Sequence, residues 1–502
     1  MPPWGFFLGN IPALAALNKH VPKDARQAES FALLSSESPG LESCFYVDVW
    51  PFGFPILVIT SPELAVQTCQ THDLGKPDVL APFIAPMAGG SSFFDSNGME
   101  WKRSRDLFHH AFSMKASMEH IPQIVEEAET FVDILREHAE KQGIFLLDQE
   151  TCNCVMDIVG NVALDTRFHS QRKYNPIATS MRDTIDWECR IETGNPFSRL
   201  SPIRWFKQWH NGRTMNHHIG IELEKRYQEW KDKKPTDPAK AKSIMDLVIA
   251  EYMKTRPVSP MLEPQFKAWA IVQIRLFLFV GHDSTAVTIV YCLYLLSKHP
   301  ALLAKVRAEH DTVFGTDLAS STKLLKQRPE LINRLPYTTA VVKETLRLYP
   351  PANGLRQGIP NVSLRDPQTG KTFPTEGFAL WVLHSGVHRN AHHWPDPHSF
   401  IPDRWLTPHG HPLYPPAGAW RPFEHGPRDC IGQNIALLDV KVTLVMTVRE
   451  FDFHDQYAEW DRLHPSRGPN TMFGERAYLV QKGSGHPAQG CPCRVALREG
   501  SE

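Results

Sequence analysis

From about residue 121 to residue 228 apolar positions recur at helical spacing beneath charged outer faces, which predicts a succession of amphipathic helices. Before them, residues 45–50 and 55–60 are β-branched and aromatic runs on either side of Pro51-Phe52-Gly53, the pattern of a β-hairpin. Ser61-Pro62-Glu63 then predicts a helix start, with serine as cap and proline in the first turn. Residues 75–98, rich in proline, paired glycines and aromatics, read as a loop, and so does the charged stretch 231–238. The most apolar part of the chain runs from Pro264 to Pro300, which as one helix at 1.5 Å per residue spans about 50 Å. Gln273, Arg275, His282, Asp283, Ser284 and Thr285 interrupt it, so it reads as a buried central helix and not as a membrane span. Polar groups in mid-helix are costly to bury unless they serve a site, and Gly281 beside them leaves room for a small ligand.

Length and composition change this picture little. At 502 residues the length alone suggests about three domains. With 42% hydrophobic and 22% charged residues, the chain can bury a sizeable core and a cofactor, as a globular enzyme does. A formal charge of −1 with no basic stripe excludes a general nucleic-acid binder. Nine cysteines show neither zinc spacing nor the framework of a small secreted domain, so reduced thiols are expected. His388, His392, His393 and His398 cluster, but Pro395 and Pro397 break their spacing and predict a surface loop instead of a metal site. No phosphate-binding loop, dinucleotide fingerprint or Ser-His-Asp arrangement is present.

The strongest chemical signal lies at Phe423-Glu-His-Gly426-Pro-Arg428-Asp-Cys430-Ile-Gly432, just before the helix-forming run 435–440. A cysteine at a helix start is offered free N–H groups that favour negative charge on sulfur, which a metal-ligating thiolate needs. Gly426 and Gly432 allow close backbone approach to a flat group and conformations closed to other residues. Phe423 can cover the sulfur, and Arg428 carries a planar fork that pairs with carboxylates. Taken alone, Cys430 also fits a buried structural cysteine in a glycine-containing turn.

Phe423-x-x-Gly426-x-Arg428-x-Cys430-x-Gly432 resembles the heme-binding signature of the cytochrome P450 monooxygenases. Glu344-Thr-Leu-Arg347 resembles that family's Glu-x-x-Arg pair, and Phe400-Ile-Pro-Asp-Arg404-Trp405 the segment whose arginine joins it. Glu344 and Arg347, three apart, share a helix face and with Arg404 would close a buried charge network. The similarity extends from about Phe45 to Val495, and its style is that of fungal, microsomal-type members of secondary metabolism.

The resemblance implies a mainly α-helical fold with a smaller β-rich region, a single catalytic domain over 1–502, and heme b between the central helix and the Cys430 loop. Cys430 would ligate the iron. Trp101 and Arg105, spaced by four on one helix face, and Arg356 would bind heme propionates together with Arg428, although Trp101-Lys-Arg-Ser-Arg105 also fits an ordinary amphipathic helix. Asp283 and Ser284 resemble the acid and alcohol that deliver protons to dioxygen, with serine standing where threonine is usual, and a kinked helix with satisfied polar groups is the other reading. Trp405 reads as a conservative exchange for phenylalanine. Phe277, Val280, Leu355, Met472 and Phe473 would line a pocket for a bulky lipophilic substrate. Electrons would come through NADPH-cytochrome P450 reductase, with Lys102, Arg103 and Lys441 contributing a basic docking surface.

Residues 1–40 resemble the proline-rich hinge and lead-in that follow a membrane anchor, and no apolar run there reaches the ~18 residues of a span. The expected setting is the cytosolic face of the endoplasmic reticulum, for a chain cut at the hinge or an unanchored form. Two other readings stay open: a heme-thiolate isomerase, dehydratase or oxidative coupling enzyme, and a non-catalytic heme-binding protein.

Overall fold

The computed structural model describes residues 2–5, 8–50, 53–189, 201–233, 243–256, 258–465 and 468–498. Pro51 and Phe52 of the expected hairpin turn, and residues 234–238 of the expected charged loop, lie outside them.

Helices dominate. Two occur in the lead-in, α1 (Ile11–Leu17) and α2 (Gln27–Glu37), followed by α3 (Pro62–Val66), α4 (Ala81–Ala88), α5 (Gly98–His109) and α6 (Met114–Glu119). The amphipathic stretch forms α7 (Ile121–Lys141), α8 (Leu147–Leu164), α9 (Pro176–Cys189) and α10 (Pro202–Lys233), then α11 (Ile244–Thr255). Helix α12 (Pro264–Lys298) is the predicted central helix, and α13 (Pro300–Phe314), α14 (Leu318–Gln327) and α15 (Pro336–Leu348) follow it. The C-terminal third adds α16 (His384–Arg389), α17 (Gln433–Thr447) and α18 (Tyr457–Leu463).

The strands make four small sheets. The predicted hairpin pairs β1 (Cys44–Val47) with β2 (Ile56–Ile59), and Ser61 caps α3 by accepting from the Leu64 N–H. β3 (Phe145–Leu146) joins a later sheet, whereas β4 (Gly354–Gln357) extends the first one. β5 (Ser363–Arg365) pairs with β6 (Thr372–Pro374), and β7 (Ala379–Val382) runs between β2 and β4. β8 (Phe451–Asp455) and β3 flank β11 (Pro492–Leu497), while β9 (Leu479–Lys482) and β10 (Ser484–Pro487) form a tight hairpin turning at Gly483.

Helix α12 threads the middle of the molecule because it is apolar on every side. Its first half packs with α5, α8, α9, α10 and α11 around Phe108, Met181, Leu223 and Phe277. Its second half packs with α7, α8, α15 and α17 around Phe131, Val155, Val290, Tyr291 and Leu444. Each such side chain contributes about 1.5–3 kcal/mol on leaving water. Gly281 serves this packing: an added Cβ would stand 3.1–3.2 Å from both methyl carbons of Val159 on α8, so the room it leaves goes largely to the neighbouring helix.

Described parts of two expected loops are helical instead. Within 75–98, α4 forms because Pro82 occupies its first turn, where no intrahelical donor is needed. Arg275 of α12 stabilises its far end by donating Nε to the Met87 carbonyl (2.9 Å) and Nη2 to that of Pro86 (2.7 Å). Gln273 likewise accepts from the Phe93 N–H at 3.0 Å. These two polar residues therefore pin the segment above α12 and do no chemistry. At 231–233 the chain continues α10 without a break.

Candidate active site

A cavity of about 1180 Å³ lies between α12 and the segment 422–432, where the resemblance places heme. Phe277, Val280, Asp283, Ser284, Thr285 and Thr288 form its α12 wall, and Phe423, Arg428, Cys430 and Gly432 face them. Trp101, Arg105 and Arg356 also reach it, so every residue expected to bind heme or relay protons lines the cavity except Gly426.

Gly426 does a different job. Its φ of +96° is open to glycine, and a Cβ would run into the carbonyl of Cys69. It shapes the loop from behind and does not contact the space in which a macrocycle would lie. The loop is closed by Cys430, whose N–H donates to the Phe423 carbonyl at 2.8 Å. Gly432 ends the loop as N-cap of α17, as the run 435–440 predicts.

Cys430 is exposed, with its sulfur opening onto the cavity. Desolvation pushes its thiol pKa up and Asp429 adds to that, while the Gly432 N–H and the Arg105 charge pull the other way. Desolvation prevails. The helix start alone does not offset it, and a bound iron ion would favour the deprotonated sulfur.

One flank of the cavity is crowded with cations. Arg356 is fully buried on β4; its Nη1 donates to the Leu355 carbonyl, while Nε and Nη2 have no partner among the described residues. Arg428 stands over the Trp101 ring at 4.2 Å and donates to the Ser96 carbonyl and Asn97 Oδ1. Arg105 binds the carbonyl of Asp429 at 2.7 Å and pairs with its carboxylate. Half-buried Lys76, which sequence reasoning passed over, completes the group. Burial together with Arg356 and Arg428 depresses its ammonium to about 7, and burial with Arg356 depresses Arg428 to about 10. Such mutual repulsion, with guanidinium nitrogens unpaired, fits a group bearing two carboxylates. Within a loop read only for its prolines and glycines, Lys76 carried no signal of its own.

On α12, the predicted acid and alcohol differ in their ties. Ser284 donates to the Val280 carbonyl one turn back at 3.2 Å, leaving its oxygen free to accept. Asp283 is buried and held below the ordinary carboxylate range by its bonds to His486 and to the Ser484 N–H, although burial works against this. Neither partner was foreseen.

Phe277, Val280 and Leu355 line the cavity as expected, but Met472 and Phe473 do not. Those two pack with Val21, Tyr478 and Ala488 against the N-terminal segment, and Phe473 lies under Arg389. The β9–β10 hairpin, through Gln481, Gly483 and Ser484, takes the place assigned to them. Lys441 is buried, donating to the Ile332 carbonyl, so it is no part of a docking surface. His388 is buried too, between the Arg347 carbonyl and the Arg421 N–H, whereas His392 and His398 are exposed in a loop as predicted.

Behind the site, Glu344, Arg347 and Arg404 form the expected network with no solvent exposure. Arg347 grips Glu344 through Nε (2.9 Å) and Nη2 (2.8 Å), and Arg404 Nε donates to it at 2.9 Å.

The family model for Cytochrome P450 matches residues 46–478. The chain belongs to the cytochrome P450 family. It is 39% identical to the cytochrome P450 monooxygenase polC of Polytolypa hystricis, over 99% of this chain and 89% of that one. It is 32% identical to the cytochrome P450 monooxygenase acrF of Aspergillus aculeatus, over 91% and 95%. The crystal structure of the cytochrome P450DA heme domain matches it with a TM-score of 0.74, over 99% of this chain and 97% of that one, at 20% identity, a likeness of fold. Heme is the cofactor of this P450, and the cationic flank, the thiol facing the cavity and the apolar walls fit it.

Proposed function

We propose that the protein is a heme-thiolate monooxygenase that inserts one oxygen atom from O2 into a bulky lipophilic substrate, with electrons from a separate NADPH-cytochrome P450 reductase. The observation that carries this reading is the placing of Cys430 and the Asp283-Ser284 pair on opposite walls of one cavity. Heme bound between them supplies activation of dioxygen: substrate, O2, two electrons and two protons give hydroxylated product and water.

The chain's own residues do the rest. Cys430 would ligate the iron and Phe423 would shield its sulfur. Arg105, Arg356, Arg428 and Lys76 would bind the propionates, with Trp101 fixing Arg428 as an aromatic platform. Ser284 Oγ would hold a water, and Asp283, next to it on the α12 wall, would pass protons toward it. Phe83, Phe93, Phe112 and Phe277 among the walls favour a substrate with few polar handles, such as a fungal secondary metabolite.

Exposed Lys102 and Arg103 on α5, the helix tied to the Cys430 loop by Arg105, suit an acidic reductase surface. Association with the cytosolic face of the endoplasmic reticulum is supported by Ile203, Trp205, Phe206 and Trp209, each about 60% exposed at the start of α10. The long apolar helix α12, by contrast, is buried in the core.

The test is turnover of the heme-loaded protein with reductase, NADPH and isotopically labelled dioxygen, on compounds selected because they displace iron-bound water. Label in the product, dependent on NADPH, is expected. Conversion that needs neither reductase nor oxygen would favour an isomerase or dehydratase.

A further inference from the structure

His486, on β10, stands between two buried carboxylates. Its Nδ1 lies 2.8 and 3.0 Å from the two oxygens of Asp148, in the first turn of α8, and its Nε2 lies 3.0 Å from Asp283 Oδ1. All three side chains are at most 6% exposed. A neutral imidazole has one N–H, yet both nitrogens here face acceptors, so the geometry itself requires an additional proton in the trio. The other oxygen of Asp283 takes the Ser484 N–H, and Gly483, with φ +83°, lies so close that a Cβ would sit 2.8 Å from it. The hairpin tip is thus built around the Asp283 carboxylate.

We propose that His486 is the positioning residue for proton delivery, storing the proton that replenishes Asp283 and fixing that carboxylate at the cavity edge. This rests on the reading of Asp283 given above. The Nε2–H bond of His486 breaks as an O–H bond forms on the Asp283 carboxylate, and that O–H then gives its proton to the cavity, which returns Asp283 to the carboxylate. Neutral imidazole remains with its Nδ1–H on Asp148, and a proton taken up from solvent restores the imidazolium. No electrons change hands.

The surroundings agree. Asp148 and Asp283 outweigh burial and raise the imidazolium pKa to about 10, so His486 is charged at neutral pH. The other titratable neighbours include Cys152 of α8, His282 of α12, Lys482 of β9, Arg182, Asp186 and Cys189 of α9, and Cys491 before β11. His282 turns to the Leu278 carbonyl, and Lys482 pairs with Asp186 near the surface. Cys152 lies 3.9 Å from Asp148, but burial and the two aspartates keep it a neutral thiol.

The experiment uses holoprotein with reductase, NADPH and oxygen and no added substrate, and reads the fraction of consumed oxygen recovered as peroxide and the solvent deuterium isotope effect. Asp283→Asn and His486→Gln are both expected to keep the thiolate spectrum of the reduced carbon monoxide complex. Both should lower the water-forming rate, about 10²-fold for Asp283→Asn and about tenfold for His486→Gln, with a larger isotope effect. A normal peroxide fraction and isotope effect in His486→Gln, alongside an impaired Asp283→Asn, would overturn the role of His486 alone. An unimpaired Asp283→Asn would overturn the reading of Asp283 and this one with it. Should His486→Gln lose heme, Gly483→Ala decides, since it displaces Asp283 without removing a charge: a raised peroxide fraction is expected, and a normal one overturns the proposal.

Discussion

Trp405 Nε1 donates to Glu344 Oε2 at 3.0 Å, and so places an indole N–H on a carboxylate already bound by two arginines. The Ile401 N–H adds another donor to Oε1 at 3.0 Å. Trp405 is therefore part of the charge network behind the heme site and not a substitute for phenylalanine. Trp405→Phe should lower stability by about 1.5–3 kcal/mol, the range for a hydrogen bond to a charged group. Denaturant titration followed by heme absorbance checks this.

Arg347→Ala is a harsher change. Arg347 also donates to the carbonyls of His388, Pro397 and Ser399, so its loss frees one carbonyl in α16 and two in the loop after it, as well as half of the pairing of Glu344. Breaking a buried pair from one side costs about 3–5 kcal/mol. The yield of heme-loaded protein should fall sharply, as read from the ratio of heme to protein absorbance.

The Asp148–His486–Asp283 trio gives stability a defined pH dependence. The His486 pKa rises from 6.5 to about 10 on folding, so its contribution is complete below 6.5 and is lost as pH climbs through about 10. Asp283 is shifted the opposite way, and its share is lost only in acid. The stability difference between wild type and His486→Gln should therefore shrink from pH 6.5 to pH 10, measured as urea midpoints at both ends.

Ser284 keeps a hydroxyl in the cavity but lacks the methyl that would restrict its rotamer. Ser284→Ala should divert oxygen into peroxide, lowering proton-dependent turnover by about 10²-fold. Ser284→Thr should reduce the peroxide fraction below that of wild type. Peroxide assays on the two variants check both.

The parts legible in the sequence were those fixed by local pattern. Proline and charge bracketed α12 to within two residues, Ser61 announced its own helix, and the spacing around Cys430 located the iron side of the cavity. What escaped was set by contacts between distant segments. α4 forms in a proline-rich stretch because Arg275, nearly two hundred residues later, satisfies its carbonyls. Lys76 matters only because folding brings it beside Arg356 and Arg428. His486 had no neighbour in sequence to mark it, and Met472 and Phe473 missed the pocket because the hairpin that enters it begins a few residues later.

All of this depends on sulfur coordination at position 430. The most direct measurement is the spectrum of the reduced carbon monoxide complex of wild-type and Cys430→Ala protein, each loaded with heme. The thiolate signature should be present in the first and absent from the second. Its persistence in Cys430→Ala, or its absence from heme-loaded wild type, would contradict the assignment.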